Sequence, residues 1–387
     1  GVRLAYSFRN LIHVKGIAGR SREFMDKAAS NIKAAGLSVD IASLLKLENS
    51  TADAAVNMIN RYVSYAGQEP INLNVQAYSF NINWNVHALS LQGEYAYKSK
   101  DNSVYTNNRN KDGSALLLEI GYNTPGFGSL LTLRRLEYMQ FGTTRGITGI
   151  GRDLNYLPAL TKQHSYSLAV LNPHNTMGNG ETGGQLDIQY NLPQGSVTGG
   201  KYGMQLSLNA STYYNLQGDV INGYDFFATG KTKYYQDINL DIEKRFSTSM
   251  LAHLFYANQQ FNPVIIGKES SLYKSHIVAG DLRWQPTAKN SFRFELQHLW
   301  SGDYLKNWAA ALIEFSAAPS FTCFIGDMHN YGDSNIHYYR LGSSYTFSRT
   351  RIALNYGRNR EGLICAGGVC LYMPAYTGFN LSIASSF

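Results

Sequence analysis

Tyr376-Thr-Gly-Phe-Asn-Leu-Ser-Ile-Ala-Ser-Ser-Phe387 ends the chain and decides how the rest is read. Counted back in steps of two, Phe387, Ser385, Ile383, Leu381 and Phe379 fall on one face. Ser386, Ala384, Ser382 and Asn380 fall on the other. Side chains alternate across a strand, so this is one apolar face and one small, polar face. A soluble edge strand carries the same alternation. A long final strand tipped by Phe fits better a membrane barrel, whose last strand must pair and leave no edge in lipid.

Working outward, the alternation recurs. Leu89, Leu91, Gly93, Tyr95 and Tyr97 oppose Ser90, Gln92, Glu94 and Ala96. Leu116, Leu118 and Ile120 oppose Ala115, Glu119 and Gly121. Ile238, Leu240 and Ile242 oppose Asp237, Asp241 and Glu243. Phe292, Phe294 and Leu296 oppose Arg293, Glu295 and Gln297. Leu341 and Tyr345 oppose Arg340, and Ile352 and Leu354 oppose Arg351. Such strands run to about 10 residues or more, the span a tilted bilayer strand needs, where soluble strands average about five or six. Tyr95, Tyr97, Tyr122, Trp284, Trp300 and Phe347 end apolar faces, where interfacial girdles lie. The expectation is an all-β fold: a transmembrane antiparallel up-and-down β-barrel of roughly 18–20 strands, residues 1–387 forming one domain. A short helix is expected within Arg20–Ala35.

Connections alternate as barrel turns and loops do. Short turns fall at Arg9-Asn10, Asn83–Asn85, Asn123–Phe127, Ser247–Ser249, Thr287–Asn290, Ala318-Pro319 and Ser348-Arg349. Longer ones fall at 99–112, 215–231, 259–272, 301–306, 329–335 and 359–374. This sends the last strand from outside to periplasm. Between 139 and 202 the strand parity fails: either a strand is missed or the segment folds into the lumen. Residues 139–163 are read as an inward-folded or an external loop, long structureless loops being functional more often than not. Because the chain opens at Gly1 directly in a strand pattern, a fragment of a longer chain is expected.

Among 387 residues there are 28 Tyr, 36 Gly and 9 Pro, with 16% charged. No apolar run reaches the length of a transmembrane helix. The net charge of +7 is scattered rather than gathered in a stripe, which argues against nucleic acid. It leaves attraction to lipopolysaccharide head groups open. Of three cysteines, Cys365 and Cys370 close a tight Gly-rich loop, a disulfide outside the cytosol or two free thiols. No zinc-ligand spacing follows, and no cofactor is expected.

Hydrolase chemistry needs a nucleophile, base and orienting group together. His164, His174, His253, His276, His298 and His329 are scattered, without a Gly-x-Ser-x-Gly elbow. The polar faces instead nominate lumen-lining side chains: Glu94, Glu119, Asp237, Asp241, Glu243, Arg293, Glu295, Arg340 and Arg351. Asp237, Asp241 and Glu243 also suit a cation site or acidic constriction. Arg134-Arg135 is hard to place, since one of two neighbours must face lipid unless it lies near an interface.

The C-terminal pattern is similar to the assembly signal of bacterial outer-membrane proteins, which implies barrel-assembly machinery as a partner at the strand ending in Phe387. Further, Leu131-Thr-Leu-Arg-Arg-Leu-Glu-Tyr138 and Thr148-Gly-Ile-Gly-Arg-Asp-Leu-Asn-Tyr-Leu-Pro-Ala-Leu-Thr-Lys-Gln-His-Ser-Tyr166 resemble an uncharacterised outer-membrane β-barrel family of Bacteroidota, the domain of unknown function 6029. Gly93–Asp101, Gly180–Asp187 and Met373–Gly378 fit the same resemblance. It implies the outer membrane and supplies no catalytic, ligand or metal residue. The expected function is a passive, porin-like channel. The alternative is a non-conducting scaffold or accessory subunit of a surface assembly, blocked by 139–163, with surface proteins as partners. A membrane-embedded hydrolase ranks third.

Overall fold

Period-two alternation becomes hydrogen-bonded ladder along most of the chain. A computed structural model describes residues 1–22, 29–63, 74–102, 110–143, 153–219, 221–303, 306–366 and 369–386. Strands β1 (Val2–Phe8), β2 (Ile12–Arg22), β3 (Ala29–Asp40), β4 (Ser50–Val63), β5 (Asn74–Val86), β6 (Leu89–Asn102), β7 (Asn110–Thr124) and β8 (Phe127–Glu137) pair antiparallel in chain order. The series resumes with β9 (Gly180–Leu192), β10 (Met204–Asp219), β11 (Gly223–Ser247), β12 (Met250–Phe261), β13 (Tyr273–Trp284), β14 (Asn290–Trp300), β15 (Trp308–Ala317) and β16 (Phe321–Asn330). Next to β16 run β17 (Ile336–His337) and β18 (Arg340–Phe347), followed by β19 (Thr350–Asn359). A separate hairpin, β20 (Gly362–Ala366) and β21 (Val369–Met373), precedes β22 (Tyr376–Ser385), which pairs with β19 and completes a 20-stranded sheet. Among the described residues no pairing joins β1 to β22; they are the two edges.

Turn chemistry sets one rim. Pro125-Gly126 joins β7 to β8 with Gly126 at φ 84°, the left-handed position after proline that a type II turn asks for. Asp40 caps a short helix, α1 (Ile41–Leu45), by accepting from the Ser43 amide at 2.9 Å.

Several expectations are corrected. Arg20–Arg22 and Ala29–Ala35 are strand rather than helix, Arg20 pairing with Asn31 and Gly16 with Ala35; residues 23–28 lie outside the described residues. Ladder bonds to neighbouring strands override the helix propensity of alanines and charges. The turn expected at Asn83–Asn85 falls at His87-Ala88. Both asparagines remain in β5, where Asn83 donates to Asp53 at 2.9 Å and Asn85 to Thr51 at 3.0 Å. The 215–231 loop is a tall hairpin, because β10 runs to Asp219 and β11 starts at Gly223, with register shifts between Tyr213 and Gly218. The parity failure is the missed strand β9. Gly183-Gly184 lowers its intrinsic strand signal, yet β8 and β10 pair with it on both sides.

The two faces of the sheet are inverted relative to a soluble protein. On β14, Leu296 is 69% exposed while Glu295 is 3% and Gln297 5% exposed. On β11, Ile238 and Leu240 are exposed while Asp237 and Asn239 are buried. An apolar exterior around a buried polar interior is what lipid dictates. Among the described residues no helix is long and apolar enough to cross a membrane. Phe292 and Trp300 end the outward face of β14. They lie about 27 Å apart along the strand, or about 20 Å along a membrane normal at a tilt of about 40°. On β22, Phe379, Leu381 and Ile383 face outward and are exposed; Phe387 lies outside the described residues.

The adjacent arginines separate by parity. Arg134 points inward to Glu181. Arg135 points outward but is covered: its guanidinium holds Glu137 at 2.7 Å and stands 4.8 Å from the Phe226 ring on the tall hairpin.

Candidate functional site

The concave face is organised by the chain between β8 and β9. Among the described residues, 138–143 and 153–179 form no strand and lie along the inner face from β3 to β15. Each stretch is held by side chains from a different part of the wall.

At its start, Lys98 on β6 donates to the Gln140 carbonyl at 2.6 Å, and Arg61 on β4 to the Gly142 carbonyl at 2.9 Å. Asp101 neutralises both cations, at 2.8 Å from Arg61 and 3.6 Å from Lys98. Phe141 packs on Val75 and Ala77. All three ionic side chains are buried. Buried charges persist only when paired and hydrogen-bonded, so these three fix the segment's position strongly.

The second point lies between β8 and β10. Arg134 binds the Pro158 carbonyl, Thr176 at 3.1 Å and Glu181 at 2.6 Å. Glu181 also accepts from the Met177 amide at 2.8 Å and lies 3.3 Å from His174. The His174 ring stacks on Tyr213 and Tyr235, with centroids 4.8 and 5.2 Å apart. Gly183 makes this possible: a Cβ there would run into the Thr212 carbonyl and the Tyr213 ring. Tyr213 donates its hydroxyl to the Leu160 carbonyl at 2.7 Å.

Further along, Lys162 reaches Asp241 and, at 3.0 Å, Asn239. His164 bonds Asp237 at 2.6 Å, and Asp237 accepts from Gln259 at 2.9 Å. Gln297 on β14 accepts from the Leu168 amide at 2.9 Å, and Gln259 donates to the Ala169 carbonyl at 2.9 Å. Tyr166, Leu168, Ala169 and Leu171 pack on Phe255, Ile277, Leu299 and Trp308 in the main buried cluster. Desolvation by that burial pushes the Tyr166 hydroxyl up to about 12, so Tyr166 stays neutral.

All nine nominated side chains stand on the inner face. Asp237 and Asp241 meet the segment. Arg293 pairs with Glu295 and with Asp281, which was not nominated. Glu119 accepts from Thr132 at 3.3 Å. Glu243 lies 3.5 Å from His253, and Glu94 lines a separate cavity. Arg340 and Arg351 lie apart from the segment, beside a polar cavity of about 540 Å³ shared with Glu314, Ser344, Asn355 and Asn380. Among the described residues no cluster of three His, Cys, Asp or Glu suits a metal ion. Sequence reasoning missed Arg61, Lys98, Asp101, Glu181 and Gln259, and placed Gln297 on the polar face without giving it a role. The available signal was a long charged or amide side chain on a face otherwise carrying small residues.

His276, His298, His329 and His337 sit on the opposite, outward face towards the long-loop rim. Tyr256, Tyr331 and Asp327 bond His276, His298 and His337 respectively. Cys365 and Cys370 are direct cross-strand partners in the β20–β21 hairpin; their side chains lie outside the described residues.

A family model, described as a family of unknown function, DUF6029, matches residues 1–387. No curated protein matches the chain. Among solved structures it is similar to OpdK of Pseudomonas aeruginosa with vanillate, at 9% identity, covering 96% of this chain and 95% of that one with a TM-score of 0.42. It is also similar to the siderophore receptor PirA of Pseudomonas aeruginosa, at 11% identity, 100% and 69% coverage and a TM-score of 0.44. The FrpB iron transporter of Neisseria meningitidis follows at 6% identity, 97% and 70% coverage and a TM-score of 0.40.

Proposed function

The chain belongs to the family of unknown function DUF6029, and we propose that it is an outer-membrane β-barrel, porin-like in action, that passes small hydrophilic solutes through a lumen narrowed by residues 138–143 and 153–179. The observation that carries this reading is the division of the concave face. From β4 to β15 the segment is tied to the wall and covers it. Towards β16, β18, β19 and β22 a polar cavity remains, lined by Glu314, Arg340, Arg351, Asn355 and Asn380. Two arginines against one glutamate favour anionic solutes there. The exposed apolar band supports an outer-membrane exterior, and a Bacteroidota source is part of the same proposal. Lipopolysaccharide, and assembly machinery engaging β22, are proposed as partners on the same basis.

Planar-bilayer recording of the purified protein tests this. Small, anion-preferring steps are expected, with the preference reduced or reversed in Arg340→Glu with Arg351→Glu. Silence at all protein doses would refute conduction.

The second reading is a non-conducting scaffold within a surface assembly, favoured by the buried ionic ties along the segment. Silence in the bilayer together with stoichiometric recovery of a partner from native membranes would select it.

A further inference from the structure

Between the inward segment and the inner wall of β2 to β8 lies a cavity of about 630 Å³ that the polar passage does not use. Its wall breaks the rule of the concave face. Ala34, Gly36, Ala77, Ala96 and Ala115 supply small side chains where β10 to β14 present aspartate, asparagine and glutamine. The register lays these on adjoining rungs, with Ala96 opposite Ala115 and Ser79. The facing side is equally apolar: Phe141, Leu154, Leu157 and Leu160 project from the segment. Small residues on one side and tethered large ones on the other leave a space that nearby side chains do not fill.

We propose that this cavity binds an uncharged, mainly apolar small molecule. Its volume lies within the range of about 300–1,000 Å³ typical of small-molecule sites. Water gains little from apolar walls, and apolar guests occupy such cavities in its place. Charge selects the class. Of the charged side chains lining it among the described residues, Arg134 is neutralised by Glu181 at 2.6 Å. Lys15 and Glu94 are opposite in sign, on β2 and β6. They leave no net charge to recruit an ionic head group. Asn57 and Ser79, bonded to each other at 3.3 Å, are polar groups on the wall that can orient the guest, whereas Asn155 is bound to the Phe141 amide and the Met139 carbonyl.

The test uses N-phenyl-1-naphthylamine, an uncharged fluorescent probe, titrated into the purified protein and into empty micelles. A saturable signal above the micelle background is expected, and the anionic probe 8-anilino-1-naphthalenesulfonate should bind more weakly. Ala96→Phe with Ala115→Phe fills the wall side and should abolish the saturable component. Leu157→Trp fills the space from the segment without altering a strand, so it reads the same outcome should the double variant lose its heat-modifiable gel mobility. Partition equal to empty micelles, undiminished binding in Leu157→Trp, or tighter binding of the anionic probe would each overturn the proposal. Absence of ion current bears on the polar passage alone, because Arg340 and Arg351 lie on other strands.

Discussion

Glu181→Ala is the sharpest perturbation of the segment. The carboxylate is fully buried, its partner Arg134 is 5% exposed at the side chain, and they meet at 2.6 Å. The same carboxylate accepts from the Met177 amide at 2.8 Å and neighbours His174 at 3.3 Å. Removing it leaves Arg134 buried without its counter-ion. Breaking a buried pair from one side costs about 3–5 kcal/mol. The ladder of β8, β9 and β10 uses backbone groups and survives, so the cost falls on attachment of the segment. At about 1.4 kcal/mol per tenfold, the detached population should rise by about 10²–4 × 10³-fold. Hydrogen–deuterium exchange reads this directly. The Leu168 amide, held by Gln297 at 2.9 Å, and its neighbours over 153–179 should exchange faster by that factor while β12 to β14 keep their protection. Bilayer current should rise in parallel. Glu181→Gln keeps an acceptor for the Met177 amide and should be milder. Unchanged protection over 153–179, or equal acceleration in the strands, would show that this pair does not hold the segment.

The exterior is tested by Leu296→Lys. This residue is 69% exposed, so a water-facing surface would accept it at no cost, whereas the lipid midplane charges about 2–4 kcal/mol; denaturant unfolding in vesicles decides. Cys365 and Cys370 are expected to form a disulfide across the β20–β21 hairpin, so maleimide should label one thiol before reduction, Cys323, and three after it. At the hairpin tip, the Asn222 and Ile221 amides donate to Asp219 at 2.8 and 2.7 Å and, with the Asn222 side chain, hold its carboxyl below the usual aspartate range. A depressed carboxylate supports the turn fully above its unfolded value and loses that support as pH falls through the folded one. The Asn222 amide shift followed by NMR should therefore titrate below the ordinary aspartate midpoint, and a midpoint at or above it would refute the assignment.

Period-two alternation determined the fold from sequence alone. Which face a strand residue takes is a local property, so Phe379, Leu381 and Ile383 or Phe294 and Leu296 declare the exterior without reference to any partner. Turn chemistry at Arg9-Asn10 and Pro125-Gly126 is equally local. Where local reading failed, tertiary pairing had overruled propensity: Arg20–Arg22 and Ala29–Ala35 read as helix in isolation, and β9 hides behind Gly183-Gly184, yet both are ladder because neighbouring strands supply the bonds. The candidate site was legible only as a polar face. Asp237, Asp241, Arg293 and Glu295 could be placed on it by parity. Their partners could not, since nothing in the alternation states that Arg61 meets the Gly142 carbonyl 81 residues on, or that Gln297 meets the Leu168 amide 129 residues back. The sequence by itself determined a membrane-facing sheet with a polar interior, because alternation and burial in lipid act residue by residue. Only the tertiary structure decided that residues 138–143 and 153–179 occupy that interior, because contacts closed over such distances depend on where the curved sheet brings its inner faces together.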